Sequence, residues 1–258
     1  MFVPSEEAMH SMPERLFIEL QENQDAARRF VLNHIVRGKY FTGGISNNQI
    51  VKTLDDGLPL RFQVYRDAYG IENALILKSD RETSNSVLHV ISHILQPTRQ
   101  SLDHILRTDG NFSIWLEAID KMKHIDPEFH RDFQRTNSSC TYFVPSDDAF
   151  RKLGASKLQN LIGDTSYLAK TLKNHIADTM LISESFKDDL QYSIPMRQGI
   201  VNIMRKNNEL HVNDASLVKS DILNKDGVAH EINAVLLPTT CTRAYRRKPD
   251  GSVVKICA

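Results

Sequence analysis

The sequence predicts an α+β protein that contains two tandem copies of one domain. The first observation is an internal repeat, because segments from the early part of the chain recur further along it at one constant shift. The second observation is the order of patterns within each copy. Apolar residues at helical spacing come early and short alternating runs come late, which is typical of α+β proteins rather than of alternating βαβ units.

The repeat has a shift of 141 positions, which is the distance between Phe2 and Phe143. This period is too long for a solenoid and has the size of a domain. We therefore expect domains over residues 1–97 and 98–240 and a tail over 241–258. Further matches at the same shift pair Asn33, His34, Ile35, Ala74, Lys78, Ser79, Asp80, Val87, His89, Ile91 and Pro97 with Asn174, His175, Ile176, Ala215, Lys219, Ser220, Asp221, Val228, His230, Ile232 and Pro238.

The first copy is shorter than the second at its start. In the second copy, residues 98–142 precede the repeated block, whereas only Met1 precedes it in the first copy. The extra segment has helical periodicity over residues 101–106 and 112–122. We therefore expect the first domain to be N-terminally truncated and the second to be complete.

Composition places the chain among soluble globular proteins. Of its 258 residues, 41% are hydrophobic and 25% are charged. Because the formal net charge is zero, the chain as a whole is not expected to bind nucleic acid. No run approaches the roughly 18 apolar residues of a membrane span, and no secretion signal is visible.

Each copy opens with a strand, a stop and a helix. In the second copy, residues 142–144 favour a strand, and Pro145 ends it because proline cannot donate to a ladder. Ser146 then occupies the N-cap position of a helix, and Asp147 and Asp148 lie near the positive end of its dipole. The same order of residue types opens the first copy.

The remaining elements follow the same plan in both copies. In the first copy, the patterns predict helices over 16–20 and 25–36, with Gly38 as the stop, and strands over 58–64, 74–77 and 87–95. In the second copy, they predict helices over 156–161 and 167–176 and strands over 200–205, 210–212, 216–218 and 227–237.

Three blocks of the second copy, at residues 143–150, 174–176 and 224–238, carry a family resemblance. They are similar to the start motif, the tyrosine-histidine motif and the end motif of the fasciclin domain. Because the blocks recur in order in both copies, the resemblance covers nearly all of residues 1–238. In the first copy the end motif, at residues 84–91, lacks its glycine, so we expect an altered turn there.

The resemblance implies for each domain a β-wedge or sandwich core with a helical layer. It also implies an extracellular adhesion or matrix-interaction module that is secreted or displayed at the cell surface. Its partners would be cell-surface or matrix proteins such as integrins, and it would need neither enzymatic activity nor a cofactor. One alternative is the ligand-binding ectodomain of a scavenger-type receptor. Another, from a different class, is a hydrolase that uses His175 or His230.

Four histidines recur at the 141 shift, namely His34, His89, His175 and His230. Two per domain could suggest a metal pair, but metal sites usually need three or four ligands, and no cysteine or carboxylate recurs at a suitable spacing. A hydrolytic triad built on Ser146 lacks the surrounding Gly-x-Ser-x-Gly turn. We therefore expect buried histidines bonded to the backbone, and no metal site.

The resemblance also suggests partner-binding residues. In adhesive fasciclin domains, the tyrosine-histidine segment and an Asp-Ile pair before the end motif are associated with integrin binding. Here Asn174 stands in place of the tyrosine beside His175, and Asp221 and Ile222 form the pair. The alternative is a turn aspartate next to a core isoleucine. We expect Asp221→Ala to lower cell attachment without changing the melting temperature.

Two sequons, at Asn111 and Asn137, are candidate glycosylation sites.

The tail predicts a hairpin in which residues 242–247 and 252–257 flank a turn with proline and glycine. This fold would bring Cys241 near Cys257, which is compatible with a disulfide, although three free thiols remain the alternative. The tail is basic and could contact a polyanion, unless it is simply solvated, through Arg243, Arg246, Arg247 and Lys248.

Overall fold

A computed structural model describes residues 1–134, 139–238, 244–247 and 253–256 of the chain. It contains two α+β units, each built on its own β-sheet. The elements of the first unit are, in chain order, β1 (Phe2–Pro4), α1 (Glu6–His10), α2 (Glu14–Glu22), α3 (Gln24–Asn33), β2 (Ile50–Lys52), β3 (Pro59–Val64), β4 (Tyr69–Ile71), β5 (Ala74–Glu82) and β6 (Val87–Ile91).

The second unit begins with three helices that have no described counterpart in the first. Its elements are α4 (Leu102–Asp109), α5 (Ser113–Ile125), α6 (Pro127–Gln134), β7 (Cys140–Pro145), α7 (Asp147–Arg151), α8 (Ala155–Gly163), α9 (Thr165–Lys173), β8 (Ile176–Ala177), β9 (Gln191–Pro195), β10 (Ile200–Lys206), β11 (Glu209–Val212), β12 (Ala215–Asn224) and β13 (Gly227–Ile232). In the tail, β14 (Ala244–Arg247) pairs antiparallel with β15 (Val253–Ile256).

The two sheets share one topology. The order is β1-β6-β5-β4-β3-β2 in the first unit and β8-β7-β13-β12-β11-β10-β9 in the second, which adds only β8. In both units the opening strand lies parallel to the closing strand, with Phe2 opposite His89 and Phe143 opposite His230. These pairs are again 141 positions apart, so the predicted duplication extends to the strand register.

The caps predicted at the start of each unit are present. The Ser5 side chain accepts a hydrogen bond from the Ala8 amide at 3.1 Å, and Ser146 accepts one from Ala149 at 3.4 Å. Each of these two bonds satisfies one backbone amide that has no partner within the first turn of its helix. The chain therefore turns from strand into helix at the same point of each unit.

Two predicted helices end earlier than expected. The first ends at Asn33 rather than at residue 36, because Val36 forms a β-bridge with Thr53; Gly38 does not end it. The second ends at Lys173 rather than at residue 176, because Ile176 pairs with Tyr142 in the sheet. In both cases a long-range strand contact overrides the apolar spacing.

Five elements were missed by the sequence patterns, namely β2, β4, β8, β9 and α6. The strands β4 and β8 have only three and two residues, and β2 and β9 are short edge strands with exposed residues at alternate positions, so none of the four has a continuous apolar run of useful length. Helix α6 did carry a signal, since it begins at Pro127 directly after Asp126, whose side chain accepts hydrogen bonds from Glu128 and Phe129.

The units differ in the turn before the closing strand, as the missing glycine predicted. In the second unit, two residues connect Asn224 with Gly227. In the first unit, four residues connect Glu82 with Val87, and Thr83 and Ser86 exchange hydrogen bonds across them. The longer turn removes the need for a residue with glycine's backbone freedom.

Among the described residues, the second unit has two large apolar clusters and the first unit has one, and a fourth, small cluster lies around Met180. The larger cluster of the second unit is formed by helices α4–α9 with one face of the sheet, and Trp115 and Phe150 are among its buried side chains. The cluster of the first unit contains no residue of α2 or α3. The helical layer of the first unit therefore buries only a few small contacts, such as Ala8 and Ala26, whereas that of the second unit is enclosed in its larger cluster.

Candidate functional site

The first recurring histidine of each unit connects the end of a helix to the chain after the closing strand. His175 Nδ1 donates to the Thr171 carbonyl at 2.7 Å, and Nε2 accepts from the Leu236 amide at 2.9 Å. His34 makes the equivalent bonds, to Phe30 at 2.8 Å and from Leu95 at 2.9 Å. Because a backbone amide can only donate, the ring proton lies on Nδ1 in both residues.

The second recurring histidine uses the opposite tautomer. His230 Nε2 donates to the Leu181 carbonyl at 2.8 Å, and Nδ1 accepts from the Asp221 amide at 3.2 Å. His89 has the same two kinds of partner, at 2.7 Å and 3.4 Å. Each ring also stacks on the phenylalanine opposite it in the register, with 5.5 Å between the centroids of His230 and Phe143. The predicted backbone-bonded histidines are therefore present in both units.

Burial keeps these histidines neutral. It lowers the pKa of His175 to about 4, and it also lowers the pKa of His34, His89 and His230. A general base needs a ring nitrogen that can accept a proton from a nucleophile. In His175 and His230 both nitrogens already bond to the backbone, so the geometry does not support the hydrolase alternative. Within the described part of the chain, no group of three or more His, Cys, Asp or Glu side chains could hold a metal ion.

Asp221 holds a loop against strand β12. Its carboxylate accepts hydrogen bonds from the Ser183 amide, at 2.8 Å, and from the Ser183 hydroxyl. Asp80 does the same with the Thr42 amide, at 2.9 Å, and the Thr42 hydroxyl. Both aspartates have φ near +58°, in the left-handed region that aspartate tolerates better than most residues. They lie at β-bulges, where the register of the two neighbouring strands shifts.

The sequence comparison of the two units missed the partner of this aspartate. Thr42 and Ser183 are 141 positions apart, but they are different residues, so a search for identical residues passes over them. The signal that could have found them is the recurrence of a hydroxyl side chain at the same position. A hydroxyl there can donate to a carboxylate, whereas an apolar side chain cannot.

The four predicted partner-binding residues are not arranged as a contact surface. His175 is 0% exposed, and Asn174 is 4% exposed and donates its side-chain amide to the Leu236 carbonyl at 2.9 Å. Direct contact of these two residues with a partner is therefore a wrong prediction, because both are enclosed by the fold. Ile222 packs partly buried against the larger cluster of the second unit, and the carboxylate of Asp221 is occupied by Ser183. These two match the alternative of a turn aspartate beside a core isoleucine.

The residues just before Asp221 are exposed instead. Val218 is 60% exposed, and Lys219 and Ser220 are exposed beside it, on the part of β12 that leads into the bulge. We call these three residues the bulge surface. Single exposed apolar side chains are normal on protein surfaces, so Val218 is a candidate contact residue because of the ordered segment that carries it. The bulge and the Asp221–Ser183 bonds hold this segment in place.

Comparison with known families assigns the two units. The sequence profile described as the Fasciclin domain matches residues 1–97 and 110–238, which is most of the chain. The chain belongs to the fasciclin domain family. Its two units are therefore tandem fasciclin domains, as the motifs predicted.

Individual relatives are distant and much longer. Human (Homo sapiens) periostin is 27% identical over 220 residues, which are 85% of this chain and 26% of periostin. Transforming growth factor-beta-induced protein ig-h3 of Oryctolagus cuniculus is 28% identical over 211 residues, 82% of this chain and 30% of that protein. The chain thus spans less than a third of the length of these relatives.

A solved structure of a FAS1 domain pair from the insect cell adhesion molecule Fasciclin I is also similar. It is 19% identical, the match covers 92% of this chain and 88% of that chain, and the TM-score is 0.45.

The two fasciclin domains meet at a joint centred on Met180. Gln63 Nε2 donates to the Met180 sulfur at 3.1 Å, and Arg61 Nη1 does so at 3.6 Å. The Tyr65 hydroxyl donates to the Met180 carbonyl at 3.4 Å. Met180 also belongs to a small apolar cluster to which residues of both domains contribute. None of these contacts repeats at the 141 shift, so the repeat did not predict the joint.

Charged pairs lie around the joint. Lys187 is 3.4 Å from Asp67, and His93 is 3.5 Å from Glu184, which raises the pKa of His93. Deeper inside the first fasciclin domain, burial raises the pKa of Glu72 to about 7. The exposed pairs contribute little to stability individually, so the apolar contacts and Met180 hold the joint.

The predicted modification sites are only partly described. Asn111 is exposed and donates its side-chain amide to Asp109 at 2.9 Å, and Ser113 of the same sequon donates to Asp147 at 2.6 Å. Cys140 is a buried free thiol, and burial raises its pKa to about 11. The other predicted residues lie outside the described part of the chain or have side chains that are not described there: Asn137, Cys241, Cys257, Arg243, Arg246, Arg247 and Lys248.

Among the described residues, no helix combines the length and the apolar character needed to cross a membrane.

Asp221→Ala is expected to destabilise the second fasciclin domain. The change removes two hydrogen bonds to a carboxylate and places alanine at a positive φ, so we expect a loss of about 2–4 kcal/mol in the free energy of unfolding. This corrects the expectation that the melting temperature stays unchanged. Chemical denaturation measures the effect, with Asp214→Ala, on an exposed turn, as the control that should change stability by less than about 0.5 kcal/mol. Equal stability of the two variants would contradict the structural role of Asp221.

Proposed function

We propose that this chain is a non-enzymatic, extracellular adhesion or matrix-interaction module that binds cell-surface or matrix proteins. Membership of the fasciclin domain family and similarity to periostin and ig-h3 support the proposal. The use of the recurring histidines and aspartates within the fold also supports it, because these residues are then not available for catalysis.

The observation that carries the proposal is the bulge surface of Val218, Lys219 and Ser220. Val218 is 60% exposed, whereas apolar side chains that belong to the core are buried. The segment that carries Val218 is held in place by the hydrogen bonds of Asp221 to Ser183 and to His230. A contact surface that is already ordered loses little conformational entropy when a partner binds. In this proposal Asp221 positions the surface, and Val218 and Lys219 make the contact.

An integrin-type receptor is the proposed partner class. Such a receptor could use the carboxylate of Asp221 as a ligand for its own metal ion only if Asp221 released Ser183. The bulge surface offers an alternative contact, with an apolar side chain beside a cation. Lys219 lies 3.6 Å from Asp109 and is otherwise exposed, so it can turn to an acidic partner at little cost.

A cell-attachment assay tests the bulge surface. We expect Val218→Asp to lower the attachment of integrin-bearing cells to the immobilised chain by about fivefold to tenfold, because an unpaired charge placed in an apolar contact costs on the order of 1 kcal/mol or more. Ile200→Asp is the matched control, since Ile200 is equally exposed on strand β10. Both variants should melt like the unchanged protein.

Two results would count against the proposal. If Val218→Asp and Ile200→Asp retain full attachment, the bulge surface is not the contact. If the unchanged chain supports no more attachment than an inert coating protein across several cell types, the adhesion function itself is excluded.

The basic tail is proposed as a secondary contact for a polyanion such as a sulfated polysaccharide. Its strands β14 and β15 form a hairpin that carries Arg246 and Arg247 on one strand. Binding through such charges should weaken steeply as salt concentration rises.

A further inference from the structure

The helical layer of the first fasciclin domain has an apolar face that its own described residues do not cover. Val31 is 50% exposed and Met9 is 43% exposed, and Met1 and Phe17 are exposed as well. No residue of α2 is buried. We call Met9 of α1, Phe17 of α2 and Val31 of α3 the open helical face.

The second fasciclin domain shows what covers the equivalent face. At the 141 shift, Val31 corresponds to Leu172 and Met9 corresponds to Phe150, and these are only 1% and 2% exposed. Both belong to the large cluster of the second domain, together with residues of α5. The same positions are therefore apolar in both domains, and they are enclosed only where α5 is present.

Helix α5 has a simple recognition pattern. Trp115, Ile119 and Met122 follow one another at intervals of four and three residues, so they lie on one face of the helix, and all three are buried in the cluster. The opposite face is charged, with Glu117, Asp120 and neighbouring lysines. Such a helix binds an apolar groove by inserting its anchor residues.

The first domain differs from the second in the side chain that packs against its first recurring histidine, His34. Trp115 packs against His175 with 5.3 Å between the ring centroids. In the first domain Phe30, which replaces Thr171, packs against His34 at 4.7 Å. His34 is thus shielded from within its own helix, while the open helical face around Val31 is not.

We propose that the open helical face of the first fasciclin domain is a docking site for an amphipathic α-helical segment with the pattern of α5. The segment presents an aromatic anchor and aliphatic side chains four and seven positions later. It packs on α1–α3 as α5 packs on α7–α9. This surface lies on another domain than the bulge surface, and the proposal does not depend on the adhesion function.

The test uses a fluorescently labelled peptide with residues 98–141 of this chain, which contains α4–α6. We expect saturable binding to the full chain with one peptide per chain, measured by fluorescence anisotropy. Val31→Asp in the chain should weaken binding at least about tenfold, because it places a charge in the contact. Ile200→Asp, on the exposed side of the other domain, should leave it unchanged, and a peptide with Ile119→Asp should not bind.

A fused copy decides the question if the free peptide does not fold. Residues 98–141, placed directly before Met1, reproduce the spacing of the second domain and raise the local concentration of the helices to about millimolar. We expect the melting temperature of the first domain to rise by at least about 3 °C, and Ile119→Asp in the added copy to remove the rise.

Three results would overturn the proposal. The first is an unchanged melting temperature of the fused protein. The second is equal peptide binding by the Val31→Asp chain. The third is a dimer of the unchanged chain that Val31→Asp converts into a monomer, because the occupant of the face would then be a second copy rather than a helix.

Discussion

Gly227→Ala is expected to prevent the second fasciclin domain from folding. Gly227 has φ +138° and begins β13 directly opposite Cys140. A Cβ atom at Gly227 would lie 2.0 Å from the Cys140 carbonyl oxygen and 2.7 Å from its amide nitrogen. These are backbone atoms of the neighbouring strand, so relief requires that the strands separate. We expect a loss of more than about 4 kcal/mol in the free energy of unfolding, because losses of this size arise from severe conflicts such as backbone strain.

Gly163→Ala provides the matched control for this change. Gly163 ends helix α8, and a Cβ there would meet no atom within 4 Å. Because glycine in a helix is less favourable than alanine, this variant should be as stable as the unchanged protein or about 0.5–1 kcal/mol more stable. Soluble yield and chemical denaturation measure both variants. A Gly227→Ala protein with normal stability would show that the close approach of β13 and β7 is wrong.

His175→Ala is expected to be the most damaging change of a polar side chain. It removes two backbone hydrogen bonds and the contact with Trp115, and it leaves a cavity and an unpaired Leu236 amide. We expect a loss of about 3–5 kcal/mol in the free energy of unfolding. His124→Ala, on the exposed side of α5, should change stability by less than about 0.5 kcal/mol. Similar stability of the two variants would contradict the buried, doubly bonded ring.

The same histidine predicts a loss of stability in acid. Its pKa is about 4 in the folded protein and about 6.5 in an unfolded chain. The unfolded state therefore binds more protons between these values, and the stability that His175 contributes is lost as pH falls from about 6.5 to about 4. The difference between the two pKa values corresponds to at most about 3.4 kcal/mol.

Comparison with a His175→Gln variant isolates this effect. Glu72 acts in the opposite direction, because its pKa of about 7 makes the folded state bind more protons below that pH. Both proteins contain Glu72, so its contribution cancels when their unfolding free energies are compared at pH 7 and pH 4. The variant should lose less stability on acidification than the unchanged protein. Equal losses would assign the acid sensitivity to other groups.

Several local features were predictable because they depend on neighbouring residues. The caps at Ser5 and Ser146 rest on a side chain and an amide three positions later, and both are present. The tail hairpin follows from turn residues between two strand-forming runs. The ends of α3 and α9 were not predictable in this way, because strand contacts with distant residues end both helices.

The candidate site could be located from the sequence but not interpreted from it. The recurrence of His34, His89, His175 and His230 indicated a structural role correctly, and Asp221 was named as a candidate partner-binding residue. However, the bonding partner of Asp221 lies 38 positions earlier in the chain. Without knowledge of that contact, the sequence suggests that the Asp221 carboxylate is available to a partner. The sequence also does not show that the nearby Val218 is exposed.

The amino-acid sequence by itself determined that the chain contains two copies of one domain with fasciclin motifs, because identical residues recur at one shift and secondary-structure signals are local. Only the tertiary structure decided which of those repeated residues are buried, how Met180 joins the domains, and which helical face stays open. The physical reason is that burial depends on what packs against a residue from far along the chain. Val31 and Leu172 occupy equivalent positions, and within the described part of the chain a helix packs over Leu172 but not over Val31.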